Sequence, residues 1–123
     1  MMNEREQQMQ QIELTISEAE EQVELAEALQ RLHKNKDFKK IILDGYFEKT
    51  AQRAVMAKSD VNTQTVEAQK GWDNVIIGVG QLGQYFHKIF VFGENAANAL
   101  DADKNTREEL LAEDLQEAAG VLQ

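Results

Sequence analysis

From Val66 to Leu100 the apolar residues keep a single helical phase. Trp72, Val75, Val79, Leu82, Phe86 and Ile89 follow one another at steps of three and four, and Gly83 and Gly93 fall on the same stripe. The phase passes through the glycines instead of stopping at them. About nine turns of one period predict one long helix, from about residue 63 to about residue 102.

That period decides a question raised by "VIIGVGQLGQYF" (residues 75–86), in which Gly78, Gly80 and Gly83 are spaced G-x-G-x-x-G. A dinucleotide site needs a strand, a tight turn and a helix, then a second strand ending in an acid about 20 residues on. Here the helical phase does not break at Gly78, and the "ENAANAL" ahead of Asp101 and Asp103 is unlike a buried strand. Nucleotide binding is not expected. Each interior glycine costs a helix up to about 1 kcal/mol relative to alanine. The expected return is close approach of another backbone, from within the fold or from a second chain. Ile77, Tyr85, Val91 and Phe92 lie off the main stripe, so the helix is apolar on two sides. A helix of that kind is central to its fold or covered by a partner, and Ile77, Tyr85 and Phe92 are the candidate contact residues.

Shorter helices are read from caps and stops. "TISEAEEQVELAEALQRLHK" offers Ser17 with Glu20, or Thr15 with Glu18, as a capping box. Its stripe is Ile16, Ala19, Val23, Ala26 and Leu29, widened by Leu25 and Leu32. Asn35 caps a short second helix that Gly45 is expected to end. A third runs from about Tyr46 to Ser59, "SDVN" is a turn, and Thr106 with Glu109 opens a last helix. The chain contains no proline and is rich in good helix formers. The expected fold is all-α, a small bundle of four to five helices around the long one. Residues 1–14 are expected as a flexible arm and residues 15–123 as a single helical domain.

The chemistry-bearing residues are sparse. With no cysteine there is neither a disulfide nor a thiolate metal site, which fits a reducing compartment. His33 and His87 have no ligand motif beside them. Ser17 reads as a cap and Ser59 as a turn, leaving no nucleophile for a triad. "DADKNTREELLA" begins like a calcium loop, but Thr106 replaces the required glycine and Ala112 the bidentate glutamate. No enzyme activity, cofactor or metal is expected. The polar start "MMNEREQQMQ" is not a signal peptide, and no unbroken apolar run approaches the length of a membrane span.

Charge is unevenly spread. Residues 1–30 carry eight Glu and one Arg, residues 31–58 eight bases and three acids, and residues 59–123 four bases and eleven acids, within a net charge of -9. The basic middle interleaves Lys39, Lys40 and Arg53 with Phe38, Tyr46 and Phe47, a mixture able to follow phosphates and stack bases. The acidic flanks repel nucleic acid, so protein contact through Lys39, Lys40 and Arg53 is favoured over DNA.

"LHKNKDFKKIILDGYFEKTAQRAVMAKSD" and the downstream "NVIIGVGQLGQYFHKIF … NALDADKNTREELLAED" resemble a family of small, mostly uncharacterised helical proteins of tailed bacteriophages, found among virion and head-assembly genes. The resemblance spans about Glu18 to Asp114 and carries no catalytic signature. It implies a virion or assembly protein: a minor capsid or cement protein, a portal- or tail-associated component, or an assembly chaperone. The implied partners are capsid, portal or tail proteins and further copies of the chain, with no membrane, in the virion or the host cytoplasm. A packaging factor of small-terminase type, or an acidic inhibitor of a host DNA-binding enzyme, is the alternative.

Overall fold

The computed structural model describes residues 3–121. Among them there is no strand, so the all-α class holds, but the helices number three and not four to five. Helix α1 is Glu4–Lys34. Helix α2 joins Lys36–Phe38, Lys39–Thr50 and Ala51–Lys58 without a break, the middle stretch wound as a π-helix. After a 3-10 turn at Val61–Thr63, helix α3 runs over Val66–Val121.

Each missing break has a local cause. Helix α1 starts with a capping box nearer the terminus than the two expected: Asn3 Oδ1 accepts from the Glu6 amide at 2.7 Å, and Glu6 accepts from the Asn3 amide at 3.2 Å. Residues 4–14, expected ahead of the helix, therefore lie within it, and the Thr15 hydroxyl donates back to the Gln11 carbonyl. Asn35 does cap α2, accepting from the Phe38 amide at 2.9 Å. Gly45, expected as a stop, has no left-handed conformation and the helix runs through it. Thr106 opens nothing: its hydroxyl donates to the Ala102 carbonyl one turn back, so the expected last helix is the end of α3.

The π-helical stretch resets which face of α2 is hidden. Its i→i+5 pattern is echoed by the Thr50 hydroxyl, which donates to the Gly45 carbonyl at 3.0 Å. A Cβ on Gly45 would stand 3.1 Å from the Lys40 carbonyl oxygen, so a glycine suits the tight contact there. An α-helix repeats at 3.6 residues and a π-helix at about 4.4, and the mixture averages near four. Accordingly Phe38, Ile42, Tyr46, Thr50, Ala54 and Lys58, every fourth residue, are buried or half-buried. Ile41 and Val55, which a 3.6 period puts on the inner face, are exposed.

The chain divides into two compact units. One takes the residues up to Ala26 with those from Val91 on. In it α1 and α3 run antiparallel: Arg5 meets Glu113, Asp114 and Glu117, Glu20 meets Lys104, and Ala26 meets Gly93. Its buried residues are small apart from Ile16, namely Ala19, Gly93 and Ala96. The glycine expected to admit a neighbour does so here, since a Cβ on Gly93 would come within 2.4 Å of the Ala26 Cβ.

The other unit is Glu27–Phe90. Leu29, Ala54 and Ile89 are buried in it. Around them stands an aromatic cluster, with Phe86 within 6.0 Å, centroid to centroid, of His33, Phe38 and Phe47. His33 donates through Nδ1 to the Leu29 carbonyl at 2.9 Å, which fixes its ring against Phe90. Lys58 pairs with Asp73 across the turn, where the Gln69 side chain also donates to the Lys58 and Thr63 carbonyls.

By length and mean hydropathy alone α3 is long and apolar enough to cross a membrane. Glycines count as nearly neutral on such a scale, and residues 75–92 contain one charged side chain, Lys88. In the aromatic unit, however, Phe86 and Phe90 of this stretch pack on His33, while Gln81, Gln84 and Lys88 are exposed.

Gly93→Ala is expected to lower stability by about 1–3 kcal/mol through overpacking. Gly80→Ala, at a position with nothing within 4 Å of an added Cβ, is expected to raise it by up to about 1 kcal/mol. Chemical denaturation of the two variants checks the opposite signs.

Candidate docking surfaces

Three of the candidate contact residues sit on α3 with side chains turned outward: Ile77 and Tyr85 are 55% exposed and Phe92 52%. Val91, expected beside them, is half-buried. Ile77 and Tyr85 belong to the aromatic unit and Phe92 to the other. Tyr85 touches Phe86 at 6.1 Å between ring centroids, which places it at the rim of the aromatic cluster.

The basic candidates are exposed and, among the described residues, make no ion pair. They do not form one face. Lys39 and Arg53 are 14 residues apart, and at about four residues per turn they project from opposite flanks of α2. The denser feature is the junction of α1 and α2, where Arg31, Lys34, Lys36, Lys39 and Lys40 are all exposed and Asp37 is the only acid. Leu32 and Ile41 lie exposed among them. Sequence position alone groups these five bases; their exposure in the folded chain shows that none is used in packing.

Helix stability accounts for some of these charges and not others. Arg31 and Lys34 stand in the last turn of α1, where cations favour the helix dipole. Lys36 and Lys39 stand in the first turn of α2, where a cation costs about 0.3–1 kcal/mol at low ionic strength. Both are exposed, and among the described residues neither is in an ion pair.

The unit built from both chain ends is the electrical opposite. Its residues include 15 acids and three bases. Two of the three bases are engaged within it: Arg5 lies 2.7 Å from Glu117, 3.0 Å from Asp114 and 3.5 Å from Glu113, and Lys104 lies 3.9 Å from Glu20. The hydrogen bonds that the Arg5 guanidinium donates to the Glu117 carboxylate, and then to that of Asp114, raise its pKa above the ordinary arginine value. Leu14, Leu25, Leu111 and Leu115 are exposed between the carboxylates, Leu115 at 72%. Residues 27–90 carry ten bases and seven acids. One unit is thus strongly negative and the other mildly positive.

Among the described residues no group of three or more His, Asp or Glu side chains is arranged to hold a metal ion. Two open hollows are apolar, one lined by Ala51, Gln52, Val55 and Met56, another by Thr63, Ala68, Gly71, Trp72 and Val75; a third, around Arg5, Glu113, Asp114 and Glu117, is polar.

Comparison of the chain with family models, curated proteins and solved structures finds no match.

Tyr85→Ala and Ile77→Ala are expected to cost less than about 1 kcal/mol, since neither side chain is buried, whereas Phe86→Ala should cost about 3 kcal/mol. Thermal unfolding of the three variants separates the outward face from the inward one.

Proposed function

We propose that this protein is a non-enzymatic structural or assembly protein of a bacteriophage particle that works by docking helical surfaces in several copies. The observation that carries the docking role is the exposed apolar surface on both units, edged by charge of opposite sign: Ile41, Val55 and Met56 on one, Leu111 and Leu115 on the other. Protein interfaces have an apolar centre and a polar rim of this kind. The phage assignment rests on the sequence resemblance over about Glu18 to Asp114. Capsid, portal and tail proteins are the partners it implies.

A second role is favoured by one feature. The 15 carboxylates set along two antiparallel helices present a dense negative surface, the kind that competes with DNA for a basic binding cleft. In that case the protein inhibits a host DNA-binding enzyme. DNA packaging through residues 31–58 is disfavoured by the charge of the acidic unit, which repels a duplex.

Mass spectrometry of purified particles and assembly intermediates tests the first role. The expected result is this chain at a fixed ratio to the major capsid protein. Its absence from both, together with capture of a host DNA-binding enzyme that duplex DNA displaces, would replace the first role with the second.

A further inference from the structure

We propose that copies of this chain bind one another through charge, the basic α1–α2 junction of one copy seating on the acidic unit of another. The inference rests on the docking role but not on the phage assignment.

The occupant is a second copy for three reasons. The first is complementarity: five exposed bases lie within residues 31–40 beside a single acid, and the acidic unit carries 15 acids against three bases, of which Arg5 and Lys104 are already paired. That unit repels itself, and a cation patch from outside relieves the repulsion. The chain supplies both halves, so any solution of it contains the partner. The second is position. Lys36 and Lys39 stand where the helix dipole disfavours them, so their contribution lies outside the fold of their own unit. The third is apolar surface at both halves. Leu32 and Ile41 are exposed among the bases, and Leu111 and Leu115 among the acids. Charge then sets orientation and encounter rate, while the leucines and Ile41 supply the burial. Duplex DNA would satisfy the basic patch as well, but the chain's net charge of -9 repels it.

The test uses the full chain in sedimentation velocity at tens of micromolar, in about 20 mM and about 500 mM NaCl, across which the screening length falls several-fold. At low salt the wild type is expected to sediment as a dimer or larger, with its dissociation constant rising at least about tenfold at high salt. The triple variant Lys36→Glu, Lys39→Glu, Lys40→Glu, whose side chains are all exposed, is expected to be monomeric at low salt with unchanged helical circular dichroism. A second variant, Lys49→Glu, Lys70→Glu, Lys88→Glu, makes the same change in net charge at other exposed positions and is expected to keep associating. A monomeric wild type at low salt, association indifferent to salt, or equal loss in both variants would each overturn the proposal. So would titration of the wild type with duplex DNA if DNA bound at the junction and the Lys36, Lys39 and Lys40 variant lost it. Absence of the chain from phage particles would leave these outcomes unaffected, so the two proposals fail separately.

Discussion

A helix packed against one neighbour hides one face and leaves the other to solvent or to another chain. Both units of this protein are built under that constraint. Ile16, Ala19 and Ala96 are buried where α1 meets α3, and Leu29, Ala54 and Ile89 in the aromatic unit, yet large apolar side chains remain outside in each. Where α3 meets α1 at Gly93 and Ala26, the contact is between small residues. Close approach of this kind improves dispersion contacts without burying much area. The inner faces are therefore well made and thin.

The helical class is legible in the sequence because period and composition agree. Of the stripe Ile16, Ala19, Val23, Ala26 and Leu29, three are buried and Val23 and Ala26 half-buried, whereas Leu25 and Leu32, expected to widen it, are exposed; the phase through Gly83 and Gly93 does mark one helix. The helix count is not legible. Gly45 and Thr106 are residues that end or begin helices as readily as they sit inside them, and only tertiary packing chooses. At Gly45 the choice is a π-helical winding, whose period of about 4.4 residues no 3.6-residue template detects. Phe38, Ile42, Tyr46, Thr50 and Ala54 do recur at every fourth residue, and a search for that interval finds the inner face of α2. The Asn3–Glu6 capping box is equally open to view, in an N-terminus whose polarity suggests a flexible arm instead.

Of the surfaces, Ile77, Tyr85 and Phe92 are visible in the sequence as a second apolar side of the long helix, and they are exposed. The basic residues are visible from charge counting, which cannot tell opposite flanks of a helix apart; that is why Lys39 and Arg53 group together in sequence and do not share a face. The partition of charge between the two units needs the fold, because the acidic unit joins segments from the two ends of the chain. A segment-by-segment count shows two acidic arms, and the antiparallel pairing at Arg5 and Lys104 makes them one surface.

If a single copy leaves its surfaces incompletely covered and another copy completes them, stability must depend on protein concentration, since association stabilises the folded form by mass action. Thermal unfolding measured over about a hundredfold range of protein concentration at low salt tests this directly. The melting temperature is expected to climb steadily with concentration. A melting temperature that stays constant across the range would contradict completion by a second copy.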